Sequence, residues 1–198
     1  MAEKIYLMMN KPKGYVCSAV SDSHKTVYQL LPQDLQDLVK NAKRGHRLHT
    51  IGRLDADTIG LLLLTTDGMF SHKVAASGAP SRASGTTGIS KTYHATLEQE
   101  VSPSEQTQYI MLASQGLTLP PEKKAPEQKA APAKIKFLAP NLAKITVTEG
   151  KFHEVRRIFK ALGNEVVELE RTAIGKLELP QDLAPGEYKS FLPEQILF

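Results

Sequence analysis

The spacing of apolar and polar positions changes from segment to segment along this chain of 198 residues. Ile5–Asn10 and Gly14–Val20 are apolar-rich runs around Lys11-Pro12-Lys13-Gly14, and predict two strands about a turn. Ser23 or Thr26 can open a short helix that reaches Leu31, where Pro32 stops it. Gln33–Lys43 predicts a second helix and Arg47–Ile51 a strand. The run Leu61–Leu64 is aliphatic, short, and bounded by Gly60 and Asp67-Gly68, so it predicts a buried strand. Met69–Ala76 and Pro103–Ser114 predict helices, and Lys91–Leu97 predicts a strand with alternating faces. Two further strands are expected over Lys134–Leu138 and Ala143–Thr148. A helix over His153–Leu162 has Gly163 as its C-terminal cap. Val166–Arg171 and Tyr188–Leu192 complete the set as strands. Strands and helices interleave without a regular βαβ period, which predicts an α+β fold.

Two segments break the pattern. Ser77–Ser90 is built almost wholly from small and polar residues, and buries too little to offset its chain entropy. It is expected to be a mobile surface loop. Lys123–Pro132, rich in Pro, Ala and Lys, is expected to be an exposed connection.

Chemistry concentrates just before the leucine run. Gly52–Gly68 reads GRLDADTIGLLLLTTDG, with Arg53, Asp55 and Asp57 on a loop feeding directly into the core. A rigid strand can hold such a loop carboxylate in fixed geometry. This stretch resembles the active-site motif of the RNA pseudouridine synthases, in particular the small-subunit ribosomal RNA (RsuA-like) branch. Three other segments strengthen the likeness, in the family's order. Asn10-Lys11-Pro12-Lys13-Gly14-Tyr15-Val16 is similar to its NKPxGxV element, and Lys91-Thr92-Tyr93 to its KTY element. Glu149-Gly150-Lys151-Phe152-His153-Glu154-Val155-Arg156-Arg157 is similar to its EGxxxxVRR element.

The resemblance implies a bifurcated, mostly antiparallel sheet with flanking helices and a central catalytic cleft. The whole chain, 1–198, would be one catalytic domain of two halves. One half is expected at about residues 1–60 with the C-terminal strand region, and the other is the central remainder. The small S4-like RNA-binding domain that precedes this core in most of the branch is not expected here. The implied activity is isomerisation of a uridine in ribosomal RNA, small-subunit (16S) rRNA by overall likeness, with no cofactor and no metal. Asp55 would be the nucleophile, adding to the base or to the sugar carbon. Arg156 would keep that carboxylate ionised against the cost of burial. Arg53 would help extrude the target nucleotide or hold its phosphate, and Tyr93 would support the extruded base. Lys91 and Lys151 are candidate phosphate contacts.

Periodicity supports Arg156 independently. Val155, Ile158, Phe159 and Leu162 form one apolar stripe. Arg156 lies at its edge and can turn into a cleft, whereas Arg157 is expected to point away, to solvent or to phosphate. A strand-like approach would put Arg53 and Asp55 on one side. Asp57 and Thr58 are expected to fix the loop by bonding nearby backbone.

Charge fits a polyanionic partner. The net charge is only +4, but Lys40, Lys43, Arg44, His46, Arg47 and His49 crowd the segment before the motif. No run of about 18 apolar residues is present to span a membrane, and the N-terminal stretch has no export signal. The single Cys17 excludes an internal disulfide and is expected to be packing. A cytoplasmic monomer whose partner is ribosomal RNA follows, with no membrane and no obligate protein partner. His46 and His49 lack the companions a zinc site needs.

Two other classes compete. A haloacid-dehalogenase-type, magnesium-dependent phosphatase also uses an Asp nucleophile in Asp-x-Asp. That pattern wants Thr or Val four residues after the first Asp, where this chain has Ile59. A catalytically silent RNA-binding protein on the same scaffold is the other, and the presence of Asp55, Tyr93 and Arg156 together speaks against it.

Overall fold

The computed structural model describes residues 3–43, 45–75, 89–122 and 125–197. The chain opens with β1 (Tyr6–Lys11), β2 (Tyr15–Val16), β3 (Lys25–Thr26), a 3-10 turn (Val27–Leu30), α1 (Gln33–Lys40), β4 (His49–Thr50), β5 (Ile59–Thr65) and α2 (Gly68–Ala75). The middle contributes β6 (Lys91–Leu97), α3 (Pro103–Ser114), β7 (Thr118–Leu119), β8 (Gln128–Lys129), β9 (Lys134–Ala139), β10 (Leu142–Val147) and α4 (Glu154–Ala161). It ends with β11 (Val166–Ile174), β12 (Leu177–Glu178), β13 (Tyr188–Ser190) and α5 (Glu194–Leu197). This is the α+β class that the sequence predicts. Among the described residues no helix is long and apolar enough to cross a membrane.

The chain divides into two compact units, Met1–Ala76 with Arg171–Phe198, and Ser77–Glu170. The first unit therefore runs past residue 60, the boundary expected from the sequence. The reason is pairing. β5 lies antiparallel to β1 with Met9 opposite Leu62, and β1 in turn pairs β13. Asp67 then starts α2 by accepting the amide N–H groups of Met69 and Phe70 at 3.0 and 3.2 Å. That start places Phe70 edge-on to Tyr6, at 5.2 Å between ring centres, and against Phe191. Leu61 to Leu64 are wholly buried, so both faces of β5 are covered and the run shows no alternation.

In the second unit β6, β10 and β9 form an antiparallel ladder with Tyr93 opposite Ile145 and Ile145 opposite Ile135. Ala95, Leu97, Ala143, Ile145 and Val147 from these strands pack with Val155, Ile158 and Phe159 of α4. Ser102 and Glu105 form a capping box at the start of α3, with Pro103 in its first turn.

Several expectations need correction. Lys123–Pro132 is not simply an exposed connection. β8 within it pairs β7, and Ala125 and Ala130 are buried. Pro and Lys marked this stretch as loop, while its alanines are small enough to be covered. Helix α1 stops at Lys40, so Lys43 lies outside it. The strand expected over Arg47–Ile51 is only β4; Ile51 still donates its N–H to the Leu63 carbonyl at 2.7 Å, and Gly52 then turns the chain at φ +68°. β11 runs on to Ile174, past the expected end. The Ser77–Ser90 expectation lies outside the described residues, except for Ile89 and Ser90.

Candidate active site

The loop between Ile51 and Ile59 is fixed from within the first unit by backbone and by one buried amine. Leu54 is buried, and its N–H points to the Cys17 sulfur at 3.4 Å. The Cys17 thiol returns to the Leu54 carbonyl at 3.5 Å. Asp55, next in sequence, is half-buried, and its carbonyl accepts the Thr58 N–H at 3.2 Å. The Gly14 N–H donates to the Ala56 carbonyl at 2.7 Å. Gly14 makes this approach at φ +87°, a conformation that disfavours any side chain.

Lys11 ties these pieces together. It is fully buried at the end of β1. Its Nζ donates to the carbonyls of Thr58, Pro12 and Ala56 at 2.7, 3.2 and 3.4 Å. Burial pushes its pKa down, while the nearby Cys17, Asp57 and Asp55 push it back up. The Arg171 guanidinium adds to the downward push. Arg171 is itself buried on β11 and donates through Nε to the Leu61 carbonyl at 2.7 Å. Two interior cations thus sit in the neighbourhood of the Asp55 loop within one unit. Sequence reasoning gave Lys11 only a place in a turn and gave Arg171 none. No local signal marks either one: Lys11 stands between Asn10 and Pro12, and Arg171 between Glu170 and Thr172.

The sequence candidates divide between the units. Arg53 and Asp55 share the loop of the first. Arg53 is exposed, and the backbone there is not a regular strand, so the strand-based argument for its side does not hold. Alternation survives only in that Leu54 between them is buried. Thr58 fixes the loop through its main-chain N–H and carbonyl. Lys40, Lys43, His46 and Arg47 are exposed around the buried Leu48 anchor.

Tyr93 and Arg156 belong to the second unit. Tyr93 is half-buried on the core-facing side of β6, packed against the apolar cluster, while Thr92 faces the other way and bonds Thr146 at 3.0 Å. Arg156 is half-buried on α4, and its Nη1 donates to the Val166 carbonyl at 2.7 Å.

Arg157 contradicts its expectation. It is fully buried, and reaches the carbonyls of Pro126, Pro120, Phe152 and Leu119 at 2.7, 2.9, 3.3 and 3.5 Å. A helical wheel saw only the face of α4 covered by the core. Leu119, Pro120 and Pro126 lie against its other side and supply carbonyls that need a donor. Arg157 is therefore a structural tie, and is not available to solvent or phosphate.

The segment entering α4 is densely bonded. His153 is the one described non-glycine residue in the left-handed region, at φ +49°. Its Nδ1 meets Glu122 Oε1 at 2.9 Å, and its ring stacks on Phe152 at 3.8 Å. Lys151 forms an ion pair with Glu149. Glu154 is buried in the first turn of α4. Burial, then the charge of Glu149, pushes its pKa up to about 7. Among the described residues no group of three or more His, Cys, Asp or Glu is placed to hold a metal ion.

The family described as RNA pseudouridylate synthase matches residues 5–161, which takes in the loop of Asp55, Tyr93 and the start of α4. The chain belongs to this family. It is 38% identical over 191 residues to the ribosomal small subunit pseudouridine synthase A of Yersinia pestis, covering 96% of this chain and 71% of that protein. The protein of the same name from Escherichia coli (strain K12) is also 38% identical over 191 residues, with 96% and 72% covered. A solved crystal structure of a pseudouridylate synthase superposes with a TM-score of 0.78 at 36% identity, covering 100% of this chain and 74% of that one. The fold is the pseudouridine synthase fold.

Proposed function

We propose that this chain isomerises a uridine of small-subunit (16S) ribosomal RNA to pseudouridine, with Asp55 as the nucleophile. Family membership and the names of its relatives support the reaction and the class of RNA. One observation supports the residue: Asp55 is a half-buried acid on a loop whose neighbouring carbonyls are pinned by a buried ammonium group. A nucleophile needs such fixed placement.

The reaction breaks N1–C1′ and joins C1′ to C5. A proton leaves C5 and one arrives at N1, so atoms and electrons balance without an oxidant, a metal or a cofactor. Asp55 supplies the electron pair for a covalent bond to the nucleotide, and gets it back when the rearranged nucleoside is released. Lys11 and Arg171 contribute positive charge in the neighbourhood of that loop. Arg53 is exposed on the same loop and fits a role in extruding the nucleotide or holding its phosphate. In the second unit, Tyr93 offers a phenol ring backed by a packed core, a surface suited to an unstacked pyrimidine. Arg156 is the guanidinium assigned to the substrate. The exposed Lys40, Lys43 and Arg47 suit phosphate contact.

In this reading the chain is one catalytic domain. It acts as a monomer in the cytoplasm, and its only required partner is ribosomal RNA. The test is a pseudouridine map of ribosomal RNA from cells with and without the gene. Loss of one or very few small-subunit pseudouridines, restored by the wild-type gene, is the expected result. An unchanged map overturns the assignment.

A further inference from the structure

Phe152 is 40% exposed, and among the described residues it is the one aromatic side chain left in the open. It lies just before α4, and is held by both its ring and its carbonyl. The His153 imidazole stacks on one face of the ring, with 3.8 Å between ring centres and 15° between planes. That imidazole is fixed in turn. Its Nδ1 meets Glu122 Oε1 at 2.9 Å, and Glu122 exchanges two main-chain hydrogen bonds with Ala125, at 2.7 and 2.9 Å. The Phe152 carbonyl accepts Nη1 of the buried Arg157 at 3.3 Å. His153 holds a left-handed backbone, φ +49°, as it makes the stack. Such a conformation is costly outside glycine, persists only where its surroundings over-determine it, and collects at functional sites. Burial is not what this arrangement serves, because the rest of the ring faces water. The nearby carboxylates of Glu122 and Glu149 pair with His153 and Lys151, a setting that suits a flat uncharged partner better than a phosphate.

We propose that Phe152 is a stacking platform for one unpaired base of the RNA, a neighbour of the target uridine rather than the target itself. Extruding a uridine strips the adjacent bases of a stacking partner, and a fixed aromatic face replaces it. Tyr93 is the ring assigned to the target, and Arg156, assigned to the substrate, follows Phe152 by four residues on the same segment. Because the ring is already immobilised, little side-chain freedom is lost when a base settles on it. Every base has a π face, so the contact adds affinity for unpaired RNA with little choice of sequence.

This inference rests on the proposed activity on RNA, and its test separates the two. Filter binding of a 16S rRNA transcript is measured at several salt concentrations for the wild type, Phe152→Ala, Phe152→Leu and Phe152→Trp. The Ala and Leu variants should each bind roughly tenfold more weakly, and the Trp variant at least as tightly as the wild type. The slope of log affinity against log salt should be the same for all four, because no phosphate contact is lost. In parallel, the wild type is irradiated with transcript in which 5-iodouridine replaces a fraction of the uridines, and the peptide joined to RNA is read by mass spectrometry. A crosslink on Phe152, at a nucleotide beside the modified uridine, is expected. Equal affinity of the four proteins with no crosslink on Phe152 overturns the inference. Full binding by the Leu variant overturns it too, because apolar bulk without a π face would then suffice. Where a melting curve shows a variant misfolded, the wild-type crosslink decides. If the wild type binds the transcript and forms no pseudouridine, the functional reading fails, while the affinity series and the crosslinked peptide still decide whether Phe152 holds a base.

Discussion

Asp55→Asn is expected to abolish turnover while leaving the protein folded and able to bind RNA. The substitution keeps size and shape and removes the nucleophilic oxygen pair. Loss of a nucleophile in enzymes that use one lowers the rate by about 10⁴-fold or more. RNA affinity should stay within about threefold, because phosphate contacts dominate it and one loop acid makes none. The C5 proton must leave in every turnover, so release of tritium from RNA labelled at uridine C5 reads the chemistry directly. Filter binding of the same RNA reads the affinity. Retained tritium release by the variant would remove Asp55 from the mechanism. Equal loss of both signals would point to misfolding, which a melting curve detects.

Lys11→Met should be the most damaging change outside the reacting acid. Lys11 is fully buried, and its Nζ serves three carbonyls of two separate segments. Methionine fills the volume but leaves those acceptors without a donor, and leaves Asp55 and Asp57 without that cation. Unmet buried acceptors of this kind cost about 3 kcal/mol together, lowering the melting temperature by roughly 6–12 °C in a chain of this size. The rate should fall further than stability alone explains, by about 10²-fold, because a misplacement of order 1 Å at the reacting group is enough. The decisive comparison is the single-turnover rate at a temperature where circular dichroism finds both proteins fully folded. Equal rates there would confine Lys11 to stability.

Much of this protein is legible in its sequence, for identifiable reasons. β5 was readable because four leucines between Gly60 and Asp67-Gly68 admit little else, and β6 and α3 match their expected limits to the residue. The cap at Ser102 with Glu105 and Pro103 is a purely local signal. Membership of the family was legible because four motifs fall in order. The misreadings at three buried cations share one cause: partners distant in the chain. Arg157 is a surface residue on a helical wheel, and becomes buried because Leu119, Pro120 and Pro126 bring carbonyls to it. Lys11 looks like half of a turn until Ala56 and Thr58 arrive from over forty residues away. Arg171 is one charge in a strand until the Leu61 carbonyl meets it. A local pattern ranks such cations as exposed, because burial of an unpartnered charge is costly and its partners are backbone atoms with no sequence signature.

The account depends on covalent catalysis by one loop carboxylate. The most direct measurement is a single-turnover reaction of the wild type with its RNA, quenched in acid during the first turnover and digested for peptide mass spectrometry. A nucleotide joined through an ester to the peptide carrying Asp55, absent from the Asp55→Asn protein, is the predicted result. An ester on another residue, with Asp55 unmodified, would contradict it.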